Sequence, residues 1–106
     1  MSRYKIIIQY DGTGFRGWQL QKNERTIQGE LESALNRINN HKQIRVHGAG
    51  RTDTGVHATG QVAHFDFNTN MKVLSIKEAL NGNLPRDIKV MKVFEVNENF
   101  HARFSA

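Results

Sequence analysis

The stretch that decides the fold is residues 44–67, IRVHGAGRTDTGVHATGQVAHFDF. Its first four residues form a short β-prone segment. In its last six residues two kinds of position alternate, with Ala63, Phe65 and Phe67 on one side and mostly polar residues between them. Such alternation is typical of a strand with one buried face. The pattern therefore predicts two strands that flank a glycine-rich loop, with the aromatic side chains buried.

Upstream of this stretch, the chain predicts one strand and one helix. Residues 4–10 place tyrosine and isoleucine at every second position, and the strand ends at the turn signal Asp11-Gly12. After Thr26, a predicted N-cap, isoleucine and leucine recur at helical spacing through Ile38, and two asparagines follow. This segment is predicted to be an amphipathic helix with one buried face.

Downstream of it, a second helix and a further strand are predicted. Ser75 and Glu78 fit a capping box, which opens a short helix that Gly82 and Pro85 end. Residues 88–96 are predicted to form a full strand.

The order of these elements predicts the fold class. Strand, helix, strand, strand, helix, strand is an α+β arrangement of ferredoxin-like βαββαβ topology, with an antiparallel sheet and both helices on one face. Residues 100–106 are expected to begin a further strand after it.

Composition limits the class of partner. A chain of 106 residues suits one domain, and its net charge of +5 favours a polyanion such as nucleic acid. The absence of cysteine excludes disulfides and thiolate metal sites. The apolar run at residues 6–8 is too short for a signal peptide or a membrane span, so a cytoplasmic protein with no membrane partner is expected.

The glycine-rich loop carries one carboxylate, Asp53, two residues after Arg51. Its glycines add no side-chain bulk, so the loop can hold Asp53 clear of the backbone and let a large substrate approach. The other interpretation is a tight hairpin in which Asp53 hydrogen-bonds its own backbone and Arg51 is solvated. An arginine within about 4–6 Å favours the ionised carboxylate, which a nucleophile or a base needs.

Four segments follow one another along the chain: YDGTGFRGWQLQ at 10–21, GAGRTDTGVHA with GQVAHF at 48–65, ALNGNLPRDIKV at 79–90 and FHARFSA at 100–106. Together they resemble the tRNA pseudouridine synthase A family, which more often has alanine where this chain has Thr54. The resemblance implies half of a pseudouridine synthase fold. It also implies isomerisation of uridine to pseudouridine in the anticodon stem-loop of tRNA.

The resemblance assigns roles to particular residues. It implies that Asp53 is the catalytic carboxylate and that Arg51 fills the space of the extruded base or holds a flanking phosphate. The residues expected to structure the loop are Gly48, Gly50, Thr52, Gly55 and His57. The residues expected to face RNA interleave basic and aromatic side chains, and they are Phe100, His101, Ala102, Arg103 and Phe104. The two phenylalanines among them also fit a place in the core.

No cofactor is expected, because isomerisation involves neither net redox change nor net hydrolysis. His57 and His64 lack a metal-type spacing with carboxylates, so no metal site is expected either. Phe15 and Trp18, beside the first glycine cluster, are expected to anchor a turn to the core.

The resemblance also implies the extent and partners of the protein. Residues 1–106 correspond to the N-terminal, catalytic-Asp subdomain of a longer enzyme that works as a homodimer on the anticodon arm of tRNA, and the C-terminal subdomain is absent here. A tyrosine that packs on the target base and a later basic residue belong to the missing part. The chain alone is therefore expected to bind tRNA weakly and to show little or no turnover.

Two functions from other classes remain open. Residues 53–55 form the tripeptide of aspartic proteases, but those enzymes are all-β and surround the tripeptide with apolar residues, whereas Arg51 precedes it here. A non-catalytic RNA-binding module of the same topology needs aromatic side chains on the open sheet face. Phe65 and Phe67 are instead predicted to be buried under the helices.

Overall fold

The structure, a computed structural model, describes residues 2–50 and 55–105. Four antiparallel strands form one sheet in the order β2-β3-β1-β4, namely β1 (Ser2–Tyr10), β2 (His47–Gly48), β3 (Ala58–Phe67) and β4 (Ile88–Val96). The helices are α1 (Ile27–Ile38), α2 (Val73–Asn83) and the short α3 (Ala102–Ser105). The strand order and the order of elements along the chain are those of the ferredoxin-like fold, so the predicted class is confirmed.

The central strand β1 pairs with β3 on one side and β4 on the other. Tyr4 lies opposite Phe65, and Ile6 lies between Ala63 and Val93. These side chains are buried on one face of the sheet, in the same core as the apolar residues of α1 and α2, which contact each other. Phe65 and Phe67 are therefore buried under the helices as their alternation predicts.

Helix α1 forms where its sequence predicts it. The Thr26 hydroxyl accepts a hydrogen bond from the Gly29 amide at 3.1 Å, and Glu30 lies in the first turn, where a negative charge favours the helix dipole. Ile27, Leu31 and Leu35 are fully buried. The helix ends before Asn39, as predicted.

Helix α2 does not begin at the predicted capping box. It begins at Val73, two residues before Ser75, and its N-cap Lys72 makes no side-chain capping bond. The Ile76 amide donates to the Lys72 carbonyl at 3.0 Å, which closes a helical turn ahead of Ser75. This backbone hydrogen bond takes the place of the predicted side-chain cap. The helix also continues past Gly82 to Asn83, before the extended residue that precedes the proline.

Strand β2 is shorter than predicted and shifted along the chain. The β-prone residues Ile44 and Val46 are buried but lie outside the ladder. The Val46 amide donates instead to the carboxylate of Glu32 on α1 at 3.0 Å, and Gln28 donates to the same oxygen at 3.0 Å. The half-buried connection is thus held by a helix side chain rather than by a strand.

The last segment forms a helical turn, so the strand expected at residues 100–106 is wrong for the part of it that the structure describes. The imidazole Nδ1 of His101 accepts from the Arg103 amide at 3.1 Å, and the Phe104 amide donates to the His101 carbonyl at 3.1 Å. These local bonds close a turn at the start of α3 in place of a strand ladder. Among the described helices, none is long and apolar enough to cross a membrane.

Candidate active site

Strands β2 and β3 carry the glycine-rich loop between them. Residues 48–50, the N-terminal stem, leave β2, and residues 55–57, the C-terminal stem, lead into β3. The segment between the two stems contains Arg51, Thr52 and Asp53, and it lies outside the described residues. The structure therefore describes how the loop is held at both ends.

The N-terminal stem is held by the sheet and by an aromatic ring. Gly48 pairs with Ala63, and the next amide, that of Ala49, donates to the Val62 carbonyl at 2.8 Å. A Cβ atom at Gly48 would lie 2.6 Å from the ring of Trp18, which is only 3% exposed. Only glycine therefore fits there without displacing the ring.

The last residue of this stem has a different type of support. The carbonyl of Gly50 accepts from the side-chain amide of Gln61 at 2.7 Å. Gln61 lies on β3, so the sheet supports the point at which the chain enters the segment that contains Asp53.

The C-terminal stem is held by a 3-10 turn, Gly12–Gly14, that follows β1. The Gly12 amide donates to Nδ1 of His57 at 2.9 Å, and the Gly55 amide donates to the Phe15 carbonyl at 3.3 Å. Gly55 has a φ of 79°, in the left-handed region that glycine adopts most readily. The first and second sequence motifs are thus in direct contact.

Asp11 caps this turn. Its Oδ1 accepts from the amide and the hydroxyl of Thr13, and these bonds lower the pKa of the Asp11 carboxyl below its usual value. The same oxygen lies 3.1 Å from Nδ1 of His57. Nδ1 of His57 therefore lies close both to the Gly12 amide, which donates to it, and to the Asp11 carboxylate.

A histidine cluster lies on the face of the sheet opposite α1 and α2. His64 on β3 stacks on His47 with ring centroids 4.8 Å apart, and the ring of His101 lies edge-on at 4.7 Å. His64 is 1% exposed, and its Nδ1 accepts from the Ala102 amide at 3.0 Å. Burial, aided by the positive charge of Arg3, lowers the pKa of His64 from 6.5 to about 4, so the ring is neutral at pH 7.

An ion pair fixes the segment before α3 to the same face. Arg3 donates to both carboxylate oxygens of Asp66, at 2.8 and 3.0 Å, and to the Phe100 carbonyl at 2.6 Å. The hydrogen bond from Arg3 lowers the pKa of Asp66. The ammonium of Lys5 lies 5.6 Å from the centre of the Phe100 ring. The segment expected to face RNA is therefore anchored to the sheet through Phe100, its first residue.

An open groove of about 710 Å³ lies between this segment and the N-terminal stem. We call it the basic groove, and six of the residues that line it are Trp18, Gln28, Arg45, His47, Arg103 and Phe104. None of the described residues that line it is acidic. Gly48 and Gly50 line it as well, so the groove extends to the start of the segment that contains Asp53.

The structure separates the residues expected to face RNA. Arg103 is exposed and Phe104 is 77% exposed, and both border the basic groove together with the half-buried His101. Ala102 is 1% exposed and Phe100 is half-buried against His64, so neither offers a free surface. The alternative that both phenylalanines lie in the core therefore does not hold for Phe104.

Sequence reasoning missed several residues of this region. His47 borders the groove, Gln61 supports the loop, and buried Glu32 holds the chain before β2. Their contacts join residues distant along the chain, so a linear pattern does not show them. The contact between Gln28 and Glu32 is different, because the two residues are four positions apart on α1 and helical spacing alone predicts that they are neighbours.

Within residues 2–50 and 55–105, no group of three or more histidine or acidic side chains is arranged to hold a metal ion. The three rings of the histidine cluster stack and pack edge-on rather than converging on one point.

The described residues define an α+β protein of ferredoxin-like topology with a basic groove at the N-terminal stem of its glycine-rich loop. The family model described as tRNA pseudouridine synthase matches residues 6–105, and this chain belongs to that family.

Curated relatives agree with this membership. The chain is 52% identical over 106 residues to tRNA pseudouridine synthase A of Maridesulfovibrio salexigens, covering 100% of this chain and 39% of that protein. It is 51% identical over 104 residues to the enzyme of the same name from Listeria monocytogenes (strain EGD-e), covering 98% and 42%. It is 53% identical over 106 residues to that of Pseudothermotoga lettingae, covering 100% and 43%. The chain thus spans about two fifths of the length of these relatives.

Proposed function

We propose that the natural protein containing this sequence isomerises uridine to pseudouridine in tRNA, with Asp53 as its catalytic carboxylate. The observation that carries the proposal is the family match over residues 6–105, together with relatives named tRNA pseudouridine synthase A that are about half identical over this chain. The four motifs of the resemblance lie inside the matched range, apart from the last residue.

The reaction breaks the bond between ribose C1′ and uracil N1 and joins C1′ to uracil C5. C5 loses its hydrogen as a proton, and N1 takes up a proton, so the product is an isomer of the substrate. An ionised carboxylate assists by adding to C1′ or to uracil C6, or by removing the C2′ proton. Each of these roles needs Asp53 unprotonated and held in a fixed position. Arg51 serves both needs in this proposal, as a neighbouring positive charge and as the residue that occupies the space of the extruded base.

The basic groove supports an RNA substrate. Arg45 and Arg103 supply positive charge for phosphates, and the exposed ring of Phe104 offers a face on which an unstacked base can lie. The groove begins at the N-terminal stem of the Asp53 loop. An RNA strand lying in it would therefore reach the catalytic segment.

The finer expectations belong to the same proposal. The substrate is the anticodon arm of tRNA, the working form is a homodimer in the cytoplasm, and no cofactor takes part. Residues 1–106 are the N-terminal catalytic-Asp subdomain in this proposal, and the activity of the whole protein requires residues that correspond to the remaining three fifths of the relatives.

The two other classes fit less well. The sheet with two packed helices is not the all-β fold of aspartic proteases, so residues 53–55 are not a protease tripeptide. An RNA-binding module that stacks bases on its sheet needs exposed strand aromatics, whereas Phe65 and Phe67 are buried.

The test uses tRNA labelled with tritium at uridine C5, because forming the C1′–C5 bond releases that hydrogen to water. The natural protein is compared with Asp53→Ala and Asp53→Asn, and tRNA binding is measured in parallel. We expect both variants to lose tritium release while they keep tRNA affinity within about threefold, since the groove is unchanged. Release at the normal rate from either variant would make Asp53 a turn residue, and no release from the unsubstituted protein would favour a binding role.

A further inference from the structure

We propose that Gly12 and His57 are positioning residues for the Asp53 loop, which fix its C-terminal stem against the 3-10 turn after β1. The inference rests on the proposed function, because it assigns these residues to the support of Asp53. Neither residue is proposed to touch the substrate. They act through residues 55–57, which connect the catalytic segment to β3.

The contact between the turn and the stem is close and involves backbone atoms on both sides. A Cβ atom at Gly12 would lie 1.9 Å from the carbonyl oxygen of Val56 and 2.5 Å from its carbonyl carbon. A side chain at Gly12 would therefore push away the backbone of the stem, which cannot rotate aside as a flexible side chain can. Gly12 is itself buried at this contact.

The hydrogen bond from Gly12 to His57 adds direction to this contact. The Gly12 amide donates to Nδ1 of His57 at 2.9 Å, so the turn also holds the residue that follows Val56. On the other side of Val56, the amide of Gly55 donates to the Phe15 carbonyl. The stem is thus attached to the turn at two points, and the close backbone approach lies between them.

The turn itself is a firm support because the core and a second strand hold it. Phe15, which follows the turn, is 2% exposed and lies under the guanidinium of Arg25 at 4.0 Å. The Asp11 amide donates to the Asp87 carbonyl at 2.9 Å, just before β4. Arg25 in turn donates to both oxygens of Asp87 at 3.0 Å. Movement of the turn would break these contacts, so the stem yields first.

The expected consequence falls on kcat. A Cβ at Gly12 requires the Val56 carbonyl to move by at least about 1 Å to reach an allowed separation, and a misplacement of that size costs about 100-fold in rate when it reaches a catalytic group. The RNA contacts of the proposed function lie in the basic groove, which lies against the other stem. Loss of positioning therefore lowers kcat and leaves KM nearly unchanged.

The variants are Gly12→Ala, His57→Ala and His57→Asn in the natural protein containing this sequence. The Asn side-chain oxygen takes the place of Nδ1 as an acceptor, so His57→Asn is the conservative rescue. Gly82→Ala is the matched control, since a Cβ there meets nothing within 4 Å. We expect kcat to fall about 100-fold in Gly12→Ala and about tenfold in His57→Ala, and to recover within about threefold in His57→Asn.

Hydrogen exchange of the Gly12 and Gly55 amides provides a readout independent of activity. Both amides are expected to exchange faster in His57→Ala than in His57→Asn, because only the latter keeps the acceptor. Circular dichroism identifies any variant that fails to fold, and the two His57 variants then decide the question if Gly12→Ala is such a variant.

The failure of each proposal has its own signature. If the unsubstituted protein releases tritium and His57→Ala keeps its kcat, the positioning role is overturned while the proposed function stands. If the unsubstituted protein releases none, the proposed function fails. Amide exchange unchanged in His57→Ala would overturn the positioning role in either case.

Discussion

Acid is expected to destabilise this fold through His64. The buried ring is neutral because burial lowers its pKa from 6.5 to about 4. A base with a lowered pKa binds protons more readily in the unfolded chain than in the folded one. Its contribution to stability is therefore fully present above pH 6.5 and is lost as the pH falls, until the folded-state pKa near 4 is reached.

The size of the effect follows from that difference. At about 1.4 kcal/mol per pKa unit, a group with these two values loses about 2 kcal/mol between pH 7 and pH 5 and about 3 kcal/mol below pH 4. His47 contributes with the same sign, since burial lowers its pKa as well. Asp66 and Asp11 act below this window, because their lowered pKa values start from 3.8.

Urea denaturation at pH 7, 6 and 5 measures this loss, and His64→Asn is the matched variant. The Asn oxygen can accept the Ala102 amide as Nδ1 does, but it does not titrate. We expect the wild type to lose about 2 kcal/mol more than the variant between pH 7 and pH 5. Equal losses in the two proteins, or a wild-type stability that stays constant over this range, would refute the reasoning.

Three further predictions concern packing and RNA binding. Glu32→Ala removes the acceptor of the buried Val46 amide and should lower the free energy of unfolding by about 1–3 kcal/mol in urea, whereas Glu32→Gln keeps an acceptor and should cost less. Gly48→Ala should cost about 1–3 kcal/mol and shift the fluorescence of the single tryptophan, while Gly60→Ala, with open space around it, should do neither. Phe104→Ala should weaken tRNA binding by about 1–3 kcal/mol in a filter-binding titration; unchanged affinity would remove Phe104 from the RNA surface.

Local patterns correctly predicted the strands and the helix whose formation depends mainly on the order of their own residues. β1 and β3 follow from alternation, β4 has the predicted bounds, and α1 follows from helical spacing with an N-cap at Thr26. In each case the apolar period matches the geometry of the element that buries it. The family resemblance also named Asp53, because a motif is a property of the linear sequence.

Local patterns failed where distant residues compete for the same backbone groups. Helix α2 begins at Val73, ahead of the capping box at Ser75, because the Ile76 amide bonds to the Lys72 carbonyl. The Val46 amide bonds to Glu32 rather than to a neighbouring strand. The strand expected from residue 100 became a helical turn capped by His101. In these places the local preference amounts to about 1 kcal/mol, which tertiary contacts readily exceed.

The sequence by itself determined the fold class, the family and the candidate carboxylate, because periodicity and motifs are written along the chain. Only the tertiary structure decided that Gly12 lies against Val56, that Gly48 fits under Trp18 and that Phe104 borders a basic groove. These contacts join the first motif to the second and the last segment to the sheet. They arise when the strands pair and the core closes, so no local stretch of sequence contains them.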